Sequence, residues 1–196
     1  MKTDVITVRN TGARMEEALQ LAEKVAVYKN LSHKDTLHLR LLAEEAMGMF
    51  RSIAGDVTGR FWIEDDEKAF QIHLQVKTDM DEQQRRQLIS ASSSGKNEAT
   101  RGLMGKIRAF FEPVESAPAF FDMAPMYDMS ERMYINMEWS MRAYREQLQD
   151  AVSRKRRGAA AAWDELEKSV ISNIADDVKV SVYGRDAELI IYKKFA

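Results

Sequence analysis

The sequence predicts an α/β fold of the α+β sandwich kind, a five-stranded mixed sheet with helices packed on one face. Three observations lead there. Two segments read as hairpins of alternating apolar and polar residues. Two consecutive helices with one-sided apolar stripes precede the first hairpin, and a long, mostly helical stretch separates it from the second. The strands are not interleaved one-to-one with helices, which argues against a doubly wound parallel sheet.

Val5-Ile6-Thr7-Val8 is a short strand ended by Asn10-Thr11-Gly12. A helix over 14–30 follows, with Met15, Leu19, Ala22, Val25 and Ala26 on one face. Ser32 three residues before Asp35 makes a capping-box-like start for a second helix, which runs to about Ile53. Its Leu39, Leu42, Ala46, Met49 and Ile53 form an inward stripe, and Gly55 is a natural stop. Arg60-Phe61-Trp62-Ile63 and the segment Phe70 to Val76 make the first hairpin, joined through Asp65-Asp66-Glu67-Lys68. In the second strand Phe70, Ile72, Leu74 and Val76 alternate with Gln71, His73, Gln75 and Lys77. Helices are predicted over 81–89 and 98–111, with the polar loop Ser90 to Asn97 between them and Pro113 as a stop. Asp128 and Glu131 open a long helix in which Met133, Met137, Met141, Tyr144, Leu148 and Val152 align, ended by Gly158. A last helix from about Ala159 to Ile174 leads into the closing hairpin, where Val178, Val180 and Val182 rise to Gly184 and Leu189-Ile190-Ile191-Tyr192 returns. One domain over 1–196 is expected, with a helical insertion at about 113–157.

Composition narrows the function classes. The 196 residues carry a net charge of −2, so no global field favours a polyanion. There are no cysteines, which excludes disulfides, thiolate zinc sites and cysteine nucleophiles. No apolar run is long enough to span a bilayer and no signal peptide is evident, so a cytoplasmic location is expected. Arg154-Lys155-Arg156-Arg157 sits at a helix end, where cations complement the dipole. Without an aromatic platform it does not indicate nucleic acid. His33, His38 and His73 have no metal-ligand spacing.

The run Leu41-Leu42-Ala43-Glu44-Glu45-Ala46-Met47-Gly48-Met49-Phe50, placed on the second helix of this element order, resembles the N-box helix of the histidine-kinase-like (GHKL) ATPases. Among them the chain is most similar to the small anti-sigma-factor serine kinases. In that family a Glu acts as general base or orients water, and an Asn four residues later binds the magnesium ion. The resemblance therefore implies a catalytic role for Glu45 and puts Met49 at the Asn position. A thioether is no ligand for magnesium, so magnesium in the usual geometry is not expected. Asp79, in Thr78-Asp79-Met80-Asp81, takes the place of the adenine-binding Asp but lacks the glycines that accompany it. Gly102-Leu103-Met104-Gly105-Lys106 echoes the second glycine motif, earlier in the chain than the family has it. Asp176 through Val180 and Glu188 through Ile191 resemble the closing helix exit and hairpin.

Two of these features also have a reading of their own. Glu45 lies on the flank of an apolar stripe and is either a catalytic carboxylate with a raised pKa or a surface residue paired with Arg40 or Arg51. The loop Ser92-Ser93-Ser94-Gly95-Lys96-Asn97 joins hydroxyls, a glycine and a lysine to a helix N-terminus. It is either a phosphate cradle or a solvated connection. On the resemblance it falls where the ATP lid lies, so Ser94, Gly95, Lys96, Asn97 and Gly102 join Asp79 as nucleotide-binding candidates.

The expected function is a regulatory, ATP-binding-type protein with weak or altered nucleotide binding and a protein partner. The alternative is a non-enzymatic interaction module that keeps the fold and has lost ATP. The methionine-rich helix, with Trp139 beside its stripe, is expected either to cover part of the domain or to serve as a partner or homodimer surface.

Overall fold

A computed structural model describes residues 1–53, 55–77, 107, 136–183 and 186–195. In chain order its elements are β1 (Ile6–Arg9), α1 (Met15–Tyr28), α2 (His33–Arg51), β2 (Thr58–Asp66), β3 (Ala69–Lys77) and β4 (Asn136–Ser140). Then come α3 (Met141–Ser153), α4 (Ala159–Lys168), α5 (Val170–Ile174), β5 (Asp177–Tyr183) and β6 (Asp186–Lys194).

The described strands form one open sheet of six, in the order β1-β2-β3-β6-β5-β4. Every pairing is antiparallel, which corrects the expectation of a five-stranded mixed sheet. Both expected hairpins lie in this sheet. β3 and β6 join them along nine paired positions, from Ala69↔Lys194 to Lys77↔Asp186. Period-two alternation sends Phe61 and Ile63, Phe70 to Val76, Val178 to Val182, and Ala187 to Ile191 into one core. Met15, Ala18, Ala22 and Val25 of α1, seven residues of α2, and Met141, Tyr144 and Leu148 of α3 fill that core from the helical side. Ile107, helical and fully buried, belongs to it too.

The sixth strand is the main departure. Residues 136–140, expected inside the long methionine-rich helix, instead pair with the edge of β5, Trp139 opposite Val180 and Ser140 opposite Lys179. Extended Ser140 then caps α3, its side chain accepting from the Ala143 N–H at 3.2 Å. Methionines spaced by four satisfy a helix, but alternation across Asn136 to Ser140 equally suits a strand, and the open edge of β5 decides between them. The buried side of α3 is Met141, Tyr144, Leu148 and Ala151, whereas Val152 is exposed. Asp128 and Glu131 lie outside the described residues.

Helix ends follow local chemistry. Ser32 caps α2, accepting from Asp35 N at 3.1 Å and donating to its carboxylate at 2.7 Å. α1 closes with Asn30 at φ 52, whose N–H goes to Val27 O while that of Leu31 reaches Ala26 O. α3 ends the same way at Lys155, φ 54, with Lys155 N on Val152 O and Arg156 N on Ala151 O. Gly158 is therefore the cap of α4 rather than the end of the preceding helix. The last helix, expected to run unbroken to Ile174, is interrupted at extended Ser169.

Two contacts set the position of α2. Buried Asn10 donates through Nδ2 to Ile53 O and Gly55 O, both at 2.8 Å, and accepts from Val57 N at 2.9 Å. It thereby clasps the exit of α2 to the end of β1. At Gly59 a Cβ would stand 3.0 Å from the Phe50 ring and 3.2 Å from Leu74 Cδ1. The absent side chain is what lets α2 lie this close to β2.

Candidate functional site

Glu45 is the one predicted site residue that falls among the described residues. Asp79, Ser94, Gly95, Lys96, Asn97 and Gly102 all lie outside them. Glu45 sits in the fourth turn of α2, beside the buried stripe of Leu39, Leu42, Ala46 and Phe50. Helical spacing places it on the flank shared by His38, Leu42 and Met49. The other flank turns to α1, where Arg40 bridges Glu23 and reaches Glu44 at 3.0 Å.

That division isolates Glu45. Arg40 is taken by Glu23 and Glu44, and Arg51 directs its Nη2 to Met15 Sδ at 3.5 Å. Neither cation considered for Glu45 reaches it. Among the described residues Glu45 has no hydrogen bond or ion pair. Burial, reinforced by the neighbouring Glu44 carboxylate, raises its pKa above the ordinary value of 4.5. A half-buried carboxyl without a counter-ion, shifted in this sense, can accept a proton or hold a water better than a surface glutamate does.

Met49, one turn on, is 4% exposed and part of the core. Its thioether therefore packs where the resemblance would need a hard oxygen ligand. Among the described residues no three acidic or histidine side chains converge as a metal-binding group.

A second polar cluster lies on the sheet surface opposite the core, and sequence reading missed it. Buried His73 of β3 stacks on Trp62 of β2 with ring centroids 4.7 Å apart and an interplanar angle of 9°. Its Nδ1 meets Glu188 Oε1 of β6 at 2.9 Å, while buried Nε2 has no partner among the described residues. The Trp62 indole N–H donates to Glu64 at 2.9 Å. Lys2 pairs with Glu64 at 2.9 Å and lies 4.7 Å from the Trp62 ring centroid. Glu64 is held below the usual carboxylate range, first by Lys2 and then by the indole. Period-two alternation puts His73 on the polar side of β3, but only the β3–β6 register brings Glu188 to it.

Buried charge also occurs at the end of β2. The Asp65 carboxylate is 2% exposed; Lys29 at the end of α1 pairs with its Oδ2, and the Met1 ammonium stands 3.6 Å from Oδ1. Two cations on one carboxylate read as structural neutralisation rather than as a site.

Comparison with protein-family models, with curated proteins and with solved structures finds no match to this chain. No helix among the described residues is long and apolar enough to cross a membrane.

Proposed function

We propose that the chain is a regulatory protein of GHKL-like type, similar to the anti-sigma-factor kinases, which binds a protein partner and has weak or altered nucleotide binding. The observation that carries this reading is Glu45: half-buried, raised in pKa, and without a cation partner among the described residues, Arg40 being taken by Glu23 and Glu44. Support comes also from the layout, a strand, two helices and a hairpin, then helices and a closing hairpin, with the described helices on one face of one sheet. Glu45 would orient water or accept a proton at the edge of a nucleotide site whose other candidate contacts are Asp79, Lys96 and Gly102.

A second reading, an interaction module that has lost ATP, draws on Met49. Its burial removes the position that would hold magnesium, so the triphosphate would lack its usual counter-ion.

Titrating a fluorescent ATP analogue with and without magnesium separates the two readings. The regulatory reading expects saturable binding that depends little on magnesium and changes on Glu45→Gln. Absence of binding at millimolar nucleotide leaves the interaction module. Robust magnesium-dependent phosphate transfer to an acceptor protein, lost on Glu45→Ala, would overturn the place given to Met49.

A further inference from the structure

We propose that the nucleotide taken at Glu45 is one of low charge, a nucleoside or its monophosphate, and that Glu45 sets this preference against polyphosphate. This deepens the regulatory reading and rests on its claim that a nucleotide binds beside Glu45.

Holding a triphosphate asks a protein for positive charge, supplied by magnesium or by lysine and arginine. Magnesium does not fit the residues on this flank of α2. It demands hard oxygen ligands in octahedral geometry. Met49, at the position the resemblance gives to the ligand, is a buried thioether within the core. The Ser52 hydroxyl, two turns beyond Glu45 on the same side, donates to Met49 O at 2.6 Å.

The cations of α2 are placed elsewhere too. Arg40 is held between Glu23 and Glu44, and Arg51 turns to Met15 Sδ. Lys34 shares the side of Glu45 but lies eleven residues, about 16 Å, along the helix, beyond a screening length of about 8 Å. His38, on the same flank, is two turns or about 10 Å away. The charge that acts on Glu45 is instead the neighbouring Glu44 carboxylate.

A ligand here therefore meets negative potential, and each added phosphoryl charge meets it without relief from a described cation. Two further charges about 6 Å from a carboxylate weaken binding about tenfold even at the dielectric of water. A nucleoside escapes that repulsion, and its ribose hydroxyls can donate to the carboxylate.

The test is calorimetric titration of the full chain with adenosine, AMP, ADP and ATP, in EDTA and in excess magnesium. In EDTA, wild type should bind ATP about tenfold more weakly than AMP, with ADP between them. Magnesium, which masks phosphate charge in solution, should narrow the gap without reversing the order. Glu45→Gln keeps the shape and removes the charge, so it should bring ATP and AMP to nearly equal affinity. Glu45→Asp keeps the charge and should keep the order. Thermal melts check that both variants fold.

ATP binding more tightly than AMP in EDTA, or a Glu45→Gln order identical to wild type, overturns the proposal and leaves the nucleotide reading in place. No binding by any of the four ligands removes the nucleotide reading itself, and the proposal with it.

Discussion

Replacing Asn10 by Ala isolates the clasp between the end of β1 and the exit of α2. The change removes three side-chain hydrogen bonds: the donations to Ile53 O and Gly55 O and the acceptance from Val57 N. At about 1 kcal/mol net for each bond, the loss is roughly 3 kcal/mol. Desolvation moves the figure in both directions. Asn10 is only 5% exposed, so the groups it leaves near the core are poorly hydrated, whereas Gly55 is exposed and its carbonyl can turn to water. The backbone bond from Asn10 N to Val57 O survives, which keeps the strand end in place. Urea denaturation should show a loss of about 2–4 kcal/mol with an unchanged m value. For a chain of this size that corresponds to a drop in Tm of roughly 5–12 °C. Asn10→Asp sharpens the test by keeping the acceptor while turning a carboxylate oxygen toward two carbonyl oxygens. It should be worse than Ala at neutral pH and improve in acid, where the protonated carboxyl can donate again. A loss below about 1 kcal/mol for Ala, or an Asp variant as stable as wild type at neutral pH, would refute the clasp.

Gly59→Ala should cost about 1–3 kcal/mol in chemical denaturation, because the new methyl meets the Phe50 ring and Leu74 at tight distance; Phe50→Leu in the same chain should recover part of it. Glu45→Gln should be more stable than wild type at neutral pH. A carboxyl whose folded pKa is raised binds protons more tightly in the native state, so wild type loses stability as pH rises from 4.5 through the raised value, and the advantage of Gln should vanish below 4.5. Thermal melts across pH decide this, and a constant difference between the two chains would contradict it. Lys29→Met leaves Asp65 buried with the Met1 ammonium alone and should cost about 3–5 kcal/mol, whereas Lys29→Met with Asp65→Leu should cost much less.

The α2 helix was legible because several local signals agree there. Ser32 caps it, and Leu39, Leu42, Ala46, Met49 and Ile53, named from spacing alone, are all buried. The hairpins were legible for the same reason, with turns slightly displaced: β2 and β3 meet at Glu67 and Lys68 rather than over four residues. β4 was not, since its methionine also fits a helical repeat and only an edge of β5, more than thirty residues on, makes it a strand. At the candidate site the position of Glu45 could be read, but its isolation was left open. Helical spacing favours Arg40 with Glu44, four residues away, over Glu45, five away, and the structure follows that rule. The engagement of Arg51 with Met15 and of His73 with Glu188 depends on tertiary placement, which no local pattern carries.

The seam between β3 and β6 has a consequence for how the chain is made. It joins residues 69–77 to residues 186–194, the most distant pairing in the sheet, and it lies at the centre rather than at an edge. During synthesis Ile72, Leu74 and Val76 therefore emerge with β2 on one side and a bare row of backbone groups on the other. That row waits until residues 186–194 have been translated. Closing such a long loop is slow, and an apolar strand kept open meanwhile invites pairing with neighbouring chains. A ribosome that stops before β6 would release two sheet fragments with no shared middle, β1-β2-β3 on one side and β5 with β4 on the other.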